Sequence, residues 1–545
     1  MASSADPYEI FNQSPPFAGL NLFTSDPTLG ALVEGLPQAA IDELAEHGQA
    51  WGTPETFELG RIANQFPPVL KTHDATGQRI DTVEFHPAYH ALMRRSVAGA
   101  LHCSIWDTTA AASARTVARA ARLYMTAQVE CGHLCSMTMT NAAVSALAHA
   151  PSLAEHWLPR IRSRQYDASQ RSFTDKSGVM LGMGMTERQG GSDLAGNTTR
   201  AERAGEGVWR LTGHKWFLSA PTSDGFLALA QTGDGLSCFL LPRYLPDGSR
   251  NGIRLMRLKD KLGNRSNATA EAEFEGAAAW LVGETGRGVA TIVDAMTLTR
   301  LDGAVTSAGL MRIALAETTH HCRHRQAFGH LLIDQPLMVR VLADMALDAV
   351  AGAALAFRLA ESYDRADSEP GEAAFARLMT PAVKYWVTKV APPMIGEAME
   401  CLGGNGYVEE SRLPRLYREA PVNAIWEGAG NVMCLDVMRV LRKNSEPLEA
   451  VLANIEDALG STAKSTLNVL RAATAVALAD EGSARILTEQ LAMTVAAAAL
   501  RRRFPSVIAD AFLETRLGKP WRTTYGMLDS RFDAKAFINY LCPLD

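Results

Sequence analysis

A change of period is the feature that most constrains this chain. From about Leu29 to Ser163 apolar residues recur every three or four positions, as in Val97, Leu101 and Ile105 and again in Val117, Ala121 and Met125. That spacing is the buried stripe of amphipathic helices. Near Gly178 the rhythm becomes short runs, Gly207-Val208-Trp209-Arg210-Leu211, Gly225-Phe226-Leu227-Ala228-Leu229-Ala230 and Ser237-Cys238-Phe239-Leu240-Leu241-Pro242, separated by Gly, Asp and Pro turns. These predict antiparallel β-structure. The run Ala270 to Gly276 closes it, and Val289 to His324 and Leu337 to Ala366 return to helical spacing. The order implies an α+β multidomain fold in which a β unit is inserted between helical ones.

With 545 residues the chain exceeds one typical domain. The pattern divides it into an N-terminal arm (1–28), a helical domain (29–178), a β domain (179–288), a helical bundle (289–443) and an extra C-terminal helical domain (444–545). Asn444-Ser445-Glu446-Pro447 punctuates the last boundary, and Pro87 and Pro151 mark helix starts or connections. The arm, with Pro15-Pro16 and Pro27, is expected to be extended and to pack against another subunit.

Hydrophobic residues make up 47% and charged residues 21%, a globular balance that excludes disordered and fibrous classes. The start lacks the basic and apolar regions of a secretory signal and no apolar run reaches membrane-spanning length, so the expected location is the cytoplasm. Eight cysteines form no Cys-x-x-Cys pair and read as reduced thiols. His320 and His324 share a helix face, but neighbouring arginines oppose a cation there and a solvated basic helix end is the simpler reading, so no metal is expected.

Four segments carry chemistry. The first, Met185-Thr186-Glu187-Arg188-Gln189-Gly190-Gly191-Ser192-Asp193, offers backbone amides and hydroxyls to a pyrophosphate or a polar ring edge. In the second, Gly213-His214-Lys215-Trp216-Phe217-Leu218-Ser219, strand alternation points Phe217 and Ser219 the same way, so that an aromatic face and a hydroxyl meet a flat heterocycle. The third, Arg325-Gln326-Ala327-Phe328-Gly329 followed by Gln335, joins a phosphate-gripping guanidinium to a ring able to cover an adenine. The fourth runs from Gly403-Gly404-Asn405-Gly406-Tyr407 to Ile425-Trp426-Glu427-Gly428-Ala429-Gly430-Asn431. Its bulky apolar residues can strip water from Glu427, and its glycines admit a flat ligand close to the backbone.

In order and spacing these segments resemble the acyl-CoA dehydrogenase superfamily of flavoproteins over roughly Ser96 to Lys443. The details, among them Gly213 to Phe217, Glu409 to Glu419 and Trp426 to Val437, look most like its AidB-like branch, whose members carry an additional C-terminal helical domain. The resemblance implies FAD and, at Glu427, the base that removes the α-proton of an acyl-CoA thioester. It implies a flavin lined by Met185, Thr186, Gly191, Ser192, Phe217, Leu218 and Ser219, with Ile425, Trp426, Gly428 and Asn431 closing over it. Arg325, Phe328, Gln335, Gly403 and Gly404 would hold the adenine half from a neighbouring subunit, in a homotetramer built from two dimers.

Phe217, Ser219 and Glu400 replace the family's usual tryptophan, threonine and glutamine. The alternative that the resemblance brings is a flavoprotein of the alkylation-damage response that binds double-stranded DNA. Candidate contacts are Arg439, Arg442 and Lys443 at the domain junction and the run Arg501, Arg502 and Arg503. Net charge does not favour this alternative, at −6 overall, and only a local patch would serve it.

Overall fold

The computed structural model describes residues 10–108, 114–518 and 531–543. Helices at Pro87–Ala98 and Pro151–Ile161 begin with the expected prolines at their first turn, where a missing N–H costs nothing. A two-stranded hairpin, Val69–His73 with Arg79–Glu84, interrupts the N-terminal region that the sequence reads as wholly helical. Its turn is built by Asp74, whose carboxylate accepts from the Thr76 and Gln78 amides and the Thr76 hydroxyl, while Gly77 takes the left-handed conformation.

The β domain closes into a barrel. Strands run in the order Leu181–Gly184, Gly225–Thr232, Arg200–Arg203, Val208–Ser219, Thr269–Val282 and Gly235–Pro242, and the last pairs back with Gly225–Thr232. A seventh strand, Ile253–Leu258, pairs with Thr269–Val282. Pairing is antiparallel as expected except where Gly225–Thr232 meets Leu181–Gly184 and touches Arg200–Arg203, which are parallel. Trp209, Phe239 and Phe274 fill one side of the barrel. Leu227, Leu240 and Ile292 join Trp157 where the other side meets helices.

Three long helices, Gly288–His324, Pro336–Arg365 and Pro370–Cys401, form the bundle. The helix Glu446–Leu459 starts at the expected boundary, where the Asn444 side chain accepts from the Glu446 amide. The chain beyond it shares the core of the bundle. Phe357 and Trp386 belong to the same apolar cluster as Leu491, Phe512 and Phe537. The alanine run Ala496 to Ala499 is buried in the helix Ala484–Arg503, and small side chains there let it lie close against Pro336–Arg365.

From Ile10 onward the arm packs on its own chain. The Asn12 side chain pairs with the Gln326 backbone, the His320 ring bonds Pro15 O at 2.9 Å, Arg412 reaches Phe17 O, and Asp26 caps Pro27–Leu32. These contacts tie residues 10–28 of the arm to their own chain.

Candidate active site

Glu427 sits in the turn between the helices Leu413–Asn423 and Gly430–Lys443, with φ at +58°, a conformation that costs a side chain with Cβ roughly 1–2 kcal/mol. Gly428 follows at +103°. Two buried cations hold the turn. Lys384 donates to Trp426 O at 2.7 Å and to Gly428 O at 2.5 Å, bracketing Glu427, while Arg300 donates from Nε to Glu427 O at 3.1 Å. Arg300 is itself fixed by Asp436 at 2.8 Å, and Arg377 takes the other oxygen of that carboxylate at 2.9 Å. Burial works against the charge of Asp436, but Arg377 and Arg300 hold its carboxyl below the usual range.

The Glu427 side chain faces a small cavity lined also by Cys135, Thr138, Met139, Thr299, Thr306 and Trp426. Burial raises its carboxyl above the ordinary glutamate range, and the Thr299 hydroxyl, Arg300 and Lys384 pull less strongly the other way. Burial likewise pushes Lys384 down to about 7, opposed by the nearby Glu427 charge. A carboxylate and an ammonium whose affinities for a proton have been brought toward one another are suited to proton transfer at neutral pH.

The turn from Thr186 to Ser192 is braced from below. Glu187 is fully buried, pairs with Lys215 Nζ at 2.8 Å and accepts from the Thr198 and Thr199 amides. Trp216 N donates to Thr186 O at 2.8 Å, tying this turn to the second segment. A Cβ on Gly191 would lie 2.3 Å from Thr186 Oγ1, so glycine is required for the turn to fold back on Thr186. Ser192 is exposed, and Met185 and Thr186 are half-buried.

A bulge shapes the second segment. Lys215 pairs with Ala272 and Leu218 with Ala270, so Trp216 and Phe217 together face one residue of the partner strand. Lys215 and Leu218 both turn inward, leaving Phe217 46% exposed and Ser219 half-buried. The Leu218 side chain fills a core with Phe226 and Leu255, which leaves its backbone to meet a ligand. Lys259 Nζ stands 3.4 Å from the Trp216 ring centroid and 4.7 Å from that of Phe217, placing a cation at the edge of this aromatic surface.

The strand and the turn converge on Cys135. Its thiol, raised by burial, lies near the Ser219 hydroxyl and within the field of Glu427. The second and last segments therefore meet at Cys135, and the first is tied to the second through Trp216. Thr299, Arg300, Lys384 and Cys135, which sequence reasoning did not single out, belong to this site. Lys384 had a signal, since it is the one charge in the apolar helical run from Pro381 to Thr388. Ile425 is 65% exposed, and Asn431 is exposed with its side-chain oxygen accepting from Arg485 at 2.8 Å.

The remaining segments lie elsewhere. Phe328 is 95% exposed at the tip of the hairpin Gln326–Ala327 with His330–Leu331, Arg325 bonds Asn12 O, and Gln335 bonds Ala327 O. Gly403 and Gly404 form an exposed single turn. Arg439 pairs with Asp436, Arg442 with Glu481, Arg501 with Asp510, Arg502 with Asp457 and Arg503 with Glu361, while Lys443 is exposed at its helix end.

Three family models match in sequence: the adaptive response protein AidB N-terminal domain over residues 12–168, the acyl-CoA dehydrogenase middle domain over 182–277 and the acyl-CoA dehydrogenase C-terminal domain over 286–442. AidB of Escherichia coli (strain K12) is 51% identical over 444 residues, covering 80% of this chain and 81% of that protein. The chain belongs to the acyl-CoA dehydrogenase superfamily, in its AidB-like branch.

Acyl-CoA dehydrogenase family member 11 of Caenorhabditis elegans is 34% identical over 475 residues, covering 83% of this AidB-like chain and 75% of that protein. The crystal structure of C. elegans ACDH-11 in complex with C11-CoA superposes with a TM-score of 0.83 at 29% identity, over 99% of this chain and 94% of that one. A structure described as the apo-form of Bd2924 gives 0.83 at 30% identity, over 91% and 100%. As a member of this flavoprotein family the AidB-like chain takes FAD. Its residues fit that group: an exposed aromatic with a hydroxyl two positions on, a glycine turn that no side chain fills, and half-buried Thr186 beside it. Among the described residues no helix is long and apolar enough to cross a membrane.

Proposed function

We propose that this protein catalyses FAD-dependent α,β-dehydrogenation of a short acyl-CoA thioester, with Glu427 as the base. The observation that carries the reading is the desolvated Glu427 carboxyl, held on a left-handed turn by Lys384 and Arg300 and sharing Cys135 as a neighbour with Ser219. Glu427 removes the proton from the carbon next to the thioester carbonyl, and its carboxyl keeps that proton. When bound, FAD supplies the acceptor for the hydride leaving the adjacent carbon. Phe217, Ser219, Thr186 and the Gly191-Ser192 turn orient the ring, and Trp426 in the cavity wall excludes water.

A short acyl group is supported by Asp302, which stands among the walls of the narrow cavity beside Glu427. Asp302 is buried and held by Arg119 at 2.5 and 2.8 Å, a fixed ionic wall that a long alkyl tail cannot displace cheaply. The exposed Phe328 hairpin supports binding of the adenine half of FAD across a contact between two copies of the chain, and hence a homo-oligomer. A role in binding double-stranded DNA rests on the AidB likeness alone, because Arg439, Arg442 and Arg501 to Arg503 are already engaged by carboxylates.

The test is an anaerobic titration of the FAD-loaded protein with butyryl-CoA, isovaleryl-CoA and palmitoyl-CoA, followed in the visible spectrum. Bleaching by the short thioesters and not by palmitoyl-CoA is expected. A yellow protein inert to all three would overturn the dehydrogenase reading.

A further inference from the structure

A second cavity, of about 410 Å³, opens between the N-terminal hairpin, the helix Pro87–Ala98 and one end of the barrel. The helix Leu134–Leu147 separates it from the Glu427 site: Ser136 lines this cavity, while Cys135, Thr138 and Met139 line the other. One wall is aromatic. Phe85 stacks on Tyr89 with centroids 4.2 Å apart and planes 15° from parallel, and His90 Nδ1 lies 2.9 Å from Tyr166 OH. Burial and the Arg94 charge hold His90 below its ordinary range, leaving it a neutral ring.

The opposite wall is polar and incompletely used. Ser223 is 3% exposed, and its hydroxyl has no hydrogen-bond partner, an arrangement that costs about 1–3 kcal/mol if nothing engages it. Arg243 donates only to two backbone carbonyls, Thr222 O at 3.4 Å and Asp81 O at 3.2 Å, and no carboxylate lies within ion-pair distance of it among the described residues. Most of its five donors remain available. The carboxylates in the same walls are satisfied: Asp224 binds Lys176 at 2.7 Å and the Met180 amide, Asp167 binds Arg171, and Glu84 binds Lys71. The unbalanced charge is therefore one guanidinium beside an unbonded hydroxyl, facing rings across a space of ligand size.

We infer that this cavity binds a small aromatic monocarboxylate, its carboxylate on Arg243 and Ser223 and its ring against Phe85, Tyr89 and Tyr166. A single positive charge matches a monoanion. A dianionic phosphate ester would bring a second negative charge into walls that already hold Asp224, Asp167 and Glu84 and have no second unpaired cation to meet it. The site uses none of the groups assigned to dehydrogenation and stands or falls separately from that reading.

Isothermal titration of the full-length FAD-loaded protein with benzoate, and separately with phenyl phosphate, tests it. Saturable benzoate binding with Kd below about 1 mM, tighter than phenyl phosphate, is expected. Arg243→Gln should weaken it at least tenfold and Ser223→Ala by a smaller factor, with the flavin spectrum and melting temperature reporting that each variant is folded. Glu427→Gln, or prior saturation with butyryl-CoA, should leave benzoate affinity unchanged. Absence of saturable binding, equal affinity in both cavity variants, preference for phenyl phosphate, or competition by butyryl-CoA would each overturn the inference.

Discussion

Two residues of this chain, Phe328 and Glu427, share an unusual backbone state: each has positive φ, +55° and +58°, and each precedes a glycine that also has positive φ. At Phe328 the reason is local. It and Gly329 are the two loop residues of a hairpin, and such a tight turn matches the twist of its strands only when both are left-handed. At Glu427 no hairpin demands it, and the turn is held from outside by Lys384 and Arg300. The same conformation is thus a product of folding in one place and of positioning in the other. Phe328 presents its ring to whatever docks on the surface; Glu427 is aimed into a cavity built by its own chain.

Breaking the strap should have the largest effect. Lys384→Met removes two hydrogen bonds to the turn and a positive charge near Glu427, so flavin bleaching by butyryl-CoA should slow about 10- to 100-fold at pH 7. Its acid limb should move to higher pH, because less charge then favours the carboxylate. The sign for stability is opposite in direction. With Lys384 at about 7 in the fold and about 10.4 when unfolded, the unfolded chain binds more protons between those values. Stability should therefore rise with pH from 7 toward 10, and this rise should be lost in Lys384→Met, as read by melting temperatures across that range.

The paired glycines sharpen the contrast. A Cβ on Gly428 would come 2.5 Å from Met433 Cε and 3.1 Å from Val432 Cγ1, whereas one on Gly329 meets nothing within 4 Å. Gly428→Ala should shift the carboxyl and cut the bleaching rate about tenfold. Gly329→Ala should cost only about 1 kcal/mol in denaturation and leave the rate per bound flavin intact. The smallest effect is expected on the exposed side. Phe328→Ala should weaken FAD retention severalfold in dialysis, by about 1 kcal/mol of stacking, with no change in turnover per flavin. If Phe328→Ala instead abolishes turnover at full occupancy, the division between the two regions is wrong.

Much of this was legible in the sequence because it was written in local pattern. The helical and β periods, the prolines at Pro87 and Pro151 and the Asn444 to Pro447 punctuation are short-range signals, and the structure follows them. The hairpin at Val69–Glu84 was readable too, from a Val-Leu-Lys-Thr-His alternation before an Asp-Ala-Thr-Gly turn, but it is short beside the helices around it. What pattern could not supply was long-range. The inward turn of Leu218 comes from a bulge that depends on the partner strand, and the strap on Glu427 comes from a helix more than 40 residues earlier. The shared core of the bundle and the C-terminal helices is likewise a matter of packing between distant segments, invisible to a boundary drawn at Asn444.

The central claim is that Glu427 takes the α-proton. Stopped-flow bleaching of the FAD-loaded protein by butyryl-CoA, in wild type and Glu427→Gln with equal flavin content, measures it directly. The account predicts a wild-type rate that climbs with pH above the ordinary glutamate range and a loss of about a thousandfold in the variant. Bleaching of Glu427→Gln at the wild-type rate would contradict it.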